Sequence, residues 1–208
     1  MLNFLRKALD YAAYKLIREP RGGGKPVPEA ALDHEYSSGQ WDSFFSPQEQ
    51  PRYDALVATI RHAHPCPCLL DIGCGSGRLA QLLLPEHITT YTGLDLSAEG
   101  LRRARSLGLQ GTHFLHADFE TWRSDELHDV IVINETLGYA RDPARVALAF
   151  ASQLQPGGCL VVSYFRAGNH AALWQRLDRH FHFADEKVIH NSTGLTWDIK
   201  TLQLRPLP

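Results

Sequence analysis

Cysteine is scarce in this chain of 208 residues: Cys66, Cys68, Cys74 and Cys159 are too few and too unevenly spaced for a disulfide scaffold. Reduced thiols and a cytoplasmic location are the expectation. No apolar run approaches the roughly 20 residues a spanning helix needs, which excludes an integral helical membrane protein. Charge of either sign is not in excess, with 21 Lys plus Arg against 23 Asp plus Glu and a formal charge of -2. A protein whose main work is gripping phosphate backbones would be strongly basic, so nucleic acid is not expected as a partner. Internal repeats and low-complexity tracts are absent too. What is present is 44% apolar residues, enough for one domain with a substantial core.

Three regions are expected. Residues 1–20 read as an amphipathic helix, with Leu2, Leu5, Leu9, Ala12, Ala13 and Leu16 on one face. Asn3, Lys7, Asp10 and Arg18 fall opposite, and Asp10 and Lys15 interrupt any signal-peptide core. Packing on its own domain or on a neighbouring copy is the commoner fate of such a helix. Its basic character also suits peripheral contact with an anionic membrane. Residues 21–50 read as a linker followed by an aromatic segment: RGGGKPVPEAA (21–31) pairs three glycines with prolines that favour extended chain. Residues 51–208 form the main domain.

Within that domain the pattern alternates. Strands are predicted at 68–73, 89–96, 112–118, 129–134 and 159–165, with helices near 51–62, 76–84, 97–108, 121–127, 142–154 and 169–177 between or beside them. Strands rich in Val, Ile and Leu that alternate with helices indicate a parallel sheet covered on both faces. The last two β-like runs, FHFADEKVIH and LTWDIKTLQL, are joined through Asn191-Ser192-Thr193-Gly194 and read as a hairpin closing one edge.

The strongest local signal is Leu69-Leu70-Asp71-Ile72-Gly73-Cys74-Gly75-Ser76-Gly77, where the first strand meets a helix. Glycines there permit a sharp turn and close approach of a ligand to main-chain amides. Asp95 ends the second strand at the spacing of a ribose-binding acid, and Asp118 ends the third. A nicotinamide site fits poorly, because the third glycine of G-x-G-x-x-G would fall on Arg78. Asp71 just ahead of the glycines would also set negative charge towards a pyrophosphate; it suits an amino group or a sulfonium instead.

These segments, with Gly93-Leu94-Asp95-Leu96-Ser97, His116-Ala117-Asp118-Phe119, Asp129-Val130-Ile131-Val132-Ile133-Asn134 and Leu154-Gln155-Pro156-Gly157-Gly158, resemble the ordered motifs of class I S-adenosylmethionine-dependent methyltransferases. The resemblance covers about half the chain. It implies a Rossmann-like, doubly wound α/β fold with sheet order 3-2-1-4-5-7-6, strand seven antiparallel, and S-adenosyl-L-methionine as cofactor. By the same resemblance Gly73, Cys74 and Gly75 line the cofactor's amino-acid moiety, and Asp71 orients its ammonium group. Asp95 takes the ribose hydroxyls, Leu96 and Phe119 sandwich the adenine, Asp118 accepts from its exocyclic amine, and Asn134 meets the polar end. Taken singly, the acids could be helix caps and Leu96 and Phe119 plain core; three strand ends each carrying an acid is what those readings leave unexplained.

A small-molecule acceptor is expected, with oxygen preferred over nitrogen and a sugar, glycolipid precursor or secondary metabolite as its class. Candidates for the base are His170, Glu135 and Tyr139, which follow strands four and five. Histidine has the best ordinary pKa for that work, although His170 could equally be the packed start of a helix. Tyr36-Ser37-Ser38-Gly39-Gln40-Trp41 resembles the lid stretch of small-molecule enzymes of this class, with Arg52 as a further substrate or lid candidate. Amine acceptors, RNA or protein targets, and a non-catalytic cofactor-binding role are the competing readings. His62-Ala63-His64-Pro65-Cys66-Pro67-Cys68 holds metal-ligand residue types without the four-ligand spacing of a zinc site, so no metal is expected.

Overall fold

A computed structural model of the chain describes residues 11–84, 88–168 and 170–205. Seven strands form one sheet: β1 (Cys68–Ile72), β2 (Thr90–Asp95), β3 (Thr112–His116), β4 (His128–Asn134), β5 (Leu154–Phe165), β6 (Phe181–His190) and β7 (Thr196–Leu204). Their order is β3-β2-β1-β4-β5-β7-β6, with β1 to β5 parallel and β7 antiparallel to both neighbours. The expected fold class and strand order are therefore present. The order reverses at β1, which leaves a crevice beyond the carboxyl ends of the central strands.

Six α-helices are described: α1 (Glu29–Ser37), α2 (Gln50–Ala63), α3 (Arg78–Leu83), α4 (Ala98–Ser106), α5 (Pro143–Ala151) and α6 (His170–Asp178). Local chemistry fixes several of their starts. The Ser97 hydroxyl accepts from the Gly100 amide at 3.0 Å and caps α4. Asp142 accepts from Arg145 N at 3.1 Å and, with Pro143 in the first turn, caps α5. Alternation along the strands then sorts two cores. Leu70, Ile72, Ile131 and Ile133 pack with Val146, Phe150, Leu173 and Leu177 on the face of α5 and α6. Leu69, Val130 and Val132 pack with Tyr53, Leu56, Ile60 and Leu79 on the face of α2 and α3. The hairpin turn is locked by Asn191, whose Oδ1 accepts from Thr193 N, Thr193 Oγ1 and Leu195 N.

Four expectations are corrected. No helix forms at 121–127; Thr121 and Trp122 close a turn onto the Asp118 carbonyl and irregular chain follows. Strand β5 begins earlier than expected, at Leu154, because the Gln155-Pro156-Gly157-Gly158 segment is drawn into the sheet beside a bulge in β4. The glycine run at 21–31 is not a flexible linker. Gly24 N donates to Ala140 O and Lys25 N to Gly138 O, both at 2.8 Å. A Cβ on Gly24 would lie 2.3 Å from Gly138 O, so glycine serves close approach there. The leading helix, of which residues 1–10 lie outside the described residues, is α-helical at 11–13, a π turn at Tyr14–Arg18 and a 3₁₀ turn at Glu19–Arg21. Leu16, expected on its packed face, is 79% exposed, and Tyr11 and Ile17 are exposed beside it. Among the described residues no helix is long and apolar enough to cross a membrane.

Candidate functional site

At the end of β1 the chain turns through Gly73 and Gly75, both with positive φ, and the amides of Gly73 and Cys74 donate to the Leu94 carbonyl of β2. This seats the turn against the carboxyl end of β2. Gly75 N then donates to Asp95 Oδ2 at 2.8 Å, while Ser97 N donates to Oδ1 at 2.7 Å. The Asp95 carboxylate is thus held between two loops, its remaining lone pairs available to a ligand. It is buried, and burial raises its pKa against these two hydrogen bonds, which pull it down.

Asp71 lies deeper, two residues ahead of the turn. Tyr91 donates its hydroxyl to Asp71 Oδ2, whereas Oδ1 is buried with no hydrogen-bond partner in the described structure. Burial without a cation pushes its pKa up to about 7. An orphaned buried carboxylate oxygen is costly unless a donor reaches it, which marks a place for a cationic group.

The cleft in front of the turn encloses about 790 Å³ of empty space, part of it open to solvent. Gly73, Asp95, Leu96, Asp118, Phe119 and Asn134 line one part of it. Asp118 Oδ1 accepts from Glu120 N at 2.8 Å, which fixes the acid at the mouth. Glu135, Thr136 and Tyr139 line the part beyond β4. Tyr36, Trp41 and Phe44 cover it, with ring centroids 5.9 Å apart for Tyr36 and Trp41 and 5.1 Å for Trp41 and Phe44. Pro26 and Val27, on the strap tied to residues 138–140, complete the cover.

Of the residues singled out from sequence, Cys74 and Gly75 stand behind this surface rather than on it; Cys74 is buried and Gly75 abuts the Tyr36 hydroxyl. Glu135 is on the surface and unusual. It is the one non-glycine residue with positive φ, 59°, among those described. Its Oε1 accepts from Ser163 Oγ at 2.6 Å and its Oε2 from Phe165 N at 2.9 Å, and burial raises its pKa despite the nearby Arg52 charge. Burial likewise pushes the Tyr139 hydroxyl up to about 12.

Two expectations fail on position. His170 opens α6 and faces a separate hollow with Arg166, Trp174 and Lys187; it does not reach the cleft. Arg52 is not a lid residue but fully buried. Its Nε donates to Glu49 Oε2 at 2.8 Å, its Nη1 to Asn134 Oδ1, and its guanidinium lies 4.3 Å from the Tyr53 ring centroid. It braces the end of β4 from below.

Two contributors, Asp33 and Thr136, are not identified from sequence. Asp33 of α1 accepts from Ser97 Oγ at 2.6 Å and from Glu99 N at 3.1 Å, docking the helix that carries Tyr36 onto the start of α4. Thr136 donates from Oγ1 to Ile72 O at 2.9 Å and fills the space a Cβ on Gly73 would need. Phe44, together with Tyr36 and Trp41, belongs to the aromatic segment read as a lid and does line the cleft; no signal existed for Asp33, an ordinary helix acid. His62, His64, Cys66 and Cys68 lie at the opposite, amino edge of the sheet. Among the described residues, no three His, Cys, Asp or Glu side chains converge to hold a metal ion.

The family profile described as "Methyltransferase domain" matches residues 24–205. Trans-aconitate 2-methyltransferase of Acidovorax ebreus is 32% identical over 131 residues, which is 62% of this chain and 49% of that protein. Nodulation protein S of Rhizobium tropici is 29% identical over 134 residues, covering 62% of this chain and 56% of that protein. The chain thus spans about half the length of the curated relatives it matches. Among solved structures, the N-methyltransferase NodS of Bradyrhizobium japonicum WM9 in complex with S-adenosyl-L-homocysteine superposes with a TM-score of 0.71. It is 21% identical, with 86% of this chain and 98% of that chain covered.

Proposed function

Because the chain belongs to the methyltransferase-domain family, we propose that it is an S-adenosylmethionine-dependent methyltransferase acting on a hydroxyl or amine of a small polar molecule. The observation that carries this reading is the convergence of Asp95, Asp118 and Asn134, from three different strand ends, on one cleft beside the glycine turn. The residues present fit the cofactor. The unpartnered Asp71 Oδ1 would take its ammonium group, directly or through water, and the glycine turn would meet its amino-acid portion. Asp95 would accept from the ribose hydroxyls, Leu96 and Phe119 would flank the adenine, and Asp118 would accept from its amine. When bound, the cofactor supplies an electrophilic methyl group on a sulfonium.

The chain's own work is positioning and exclusion of water. Holding acceptor and methyl in line can supply about 7–11 kcal/mol of the barrier. Tyr36, Trp41 and Phe44 keep the cleft apolar above the reacting atoms, and their ring faces suit a positive charge. Glu135 and Tyr139 are the polar groups beyond Asn134, on the side left to the acceptor. The preference for oxygen rested in part on a histidine base, and His170 lies elsewhere. Calorimetry with S-adenosylhomocysteine tests the assignment: one site per chain is the expected result, and no heat from folded protein would refute it.

A further inference from the structure

We infer that the acceptor is an amine, bound as its ammonium and deprotonated at Glu135, rather than an acid or a simple alcohol; this rests on the methyltransferase reading above. The charge inventory of the cleft carries it. Asp95, Asp118, Glu120 and Glu135 line the cleft, and among the described residues no Lys, Arg or His does. An acceptor bearing a carboxylate would bring negative charge among four carboxylates, with no cationic side chain among the described lining residues to offset it. Among the described residues, the basic groups around the cleft are committed or displaced: His116, whose charge reaches Asp95, lies 2.9 Å from Glu29 Oε1 and outside the lining. Arg52 lies beneath the surface, bonded to Glu49 and Asn134. Arg18, Lys25 and Arg141 border a neighbouring hollow that shares Pro26, Val27, Leu96 and Asp118 with this one, and none of the three lines the cleft that holds Glu135.

Part of the negative charge is accounted for by the cofactor, which would engage Asp95 and Asp118. Glu120 accepts from Arg141 N at 2.6 Å. Glu135 is left on the acceptor side. It follows Asn134 directly, and Ser163 Oγ and Phe165 N fix its carboxylate so that each oxygen keeps a lone pair. Glu135 lines the cleft immediately after β4 with its backbone held at a strained φ of 59°. Aromatic faces at Trp41, Phe44 and Tyr139 surround the same space, an environment that favours a cation over an anion.

The balance of the step follows. The ammonium gives one proton to the Glu135 carboxylate. The freed nitrogen lone pair forms the N–C bond as the S–C bond breaks and its pair stays on sulfur. The products are a methylated ammonium and the neutral thioether, and the Glu135 proton then passes to solvent. Burial raises the affinity of Glu135 for a proton, so the transfer is better matched than to an exposed carboxylate.

The test uses the full chain, methyl-labelled S-adenosylmethionine and a small-molecule cell extract split by ion exchange into cationic, neutral and anionic fractions. Label is expected in the cationic fraction, and N-acetylation of that fraction in aqueous bicarbonate, which caps amines and spares alcohols, should abolish it. Glu135→Gln should cut the rate at least tenfold while S-adenosylhomocysteine affinity and melting temperature stay near those of the parent. Gln can keep both bonds, accepting from Phe165 N and donating to Ser163 Oγ. Label in the anionic or neutral fraction, capacity that survives acetylation, or no labelling of the cationic fraction by protein that still binds S-adenosylhomocysteine would overturn the inference. Loss of S-adenosylhomocysteine binding itself would instead strike the methyltransferase reading.

Discussion

At the carboxyl edge of the sheet, Asp71 and Asp95 are buried and Glu135 half-buried, and desolvation raises the pKa of all three; Asp95 and Glu135 line one cleft, and Asp71 lies just behind its glycine turn. At the amino edge stand His64, Cys66, Cys68, His128 and Asp129, residue types with as much intrinsic reactivity. There the contacts are pairwise: Cys68 Sγ lies 3.7 Å from His128 Nδ1, His64 Nε2 lies 4.0 Å from Asp129 Oδ1, and Cys66 is exposed. Among the described residues, no three of them converge as a metal site would require. The difference teaches that a site is made by convergence onto a ligand-sized space with desolvated groups, not by the residue types alone. In a parallel sheet that space lies at the carboxyl ends, where the loops diverge at the switch point.

The comparison can be broken most forcefully at Arg52. Arg52→Ala leaves Glu49 and Asn134 without their buried partner beneath the carboxyl edge. A loss of about 3–5 kcal/mol in urea-denaturation stability is expected, the cost of an uncompensated buried charge. Next, Asp95→Ala should weaken S-adenosylhomocysteine binding by roughly 1.5–3 kcal/mol, the worth of hydrogen bonds to a charged group. Calorimetry reads this, and unchanged affinity would remove the ribose assignment.

A smaller effect sharpens the role of Asp71. With its folded pKa at about 7, against an ordinary carboxylate value when unfolded, its contribution to stability is fully present in acid. That contribution is lost as pH rises from about 4 to about 7. Cofactor affinity should move the opposite way, falling by at most about tenfold per pH unit below 7 as the carboxylate that meets the ammonium is neutralised. Thermal melts and calorimetry at pH 6 and 8 should therefore show opposed trends; parallel trends would contradict the ammonium contact. The smallest effect belongs to the amino edge, where Cys66→Ser should leave stability within about 0.5 kcal/mol and cofactor affinity unchanged.

Strands β1 to β5 and the acids at their ends were legible because both are local: an apolar run, a glycine turn and an acid follow one another in the chain. The hairpin was legible through its turn, where Asn191 makes the very bonds its residue type suggests. Other features depended on partners far away in sequence. Arg52 reads as a substrate or lid candidate until Asn134, 82 positions on, is placed against it. Residues 121–127 carry a helical composition, but the Asp118 turn and the bond from Ser124 N to Gln153 Oε1 hold the chain in another path. Gly22–Gly24 show the same limit, since composition does not distinguish a glycine needed for freedom from one needed for thinness.

Gly24 fixes how closely the leading strap can lie on the segment beyond β4. The atoms a Cβ would strike there are main-chain atoms of Gly138 and Ala140. No compensating side-chain exchange elsewhere can make room. A homologue with any larger residue at this position must route its leading segment along a different course, and with it redraw the roof over the substrate chamber.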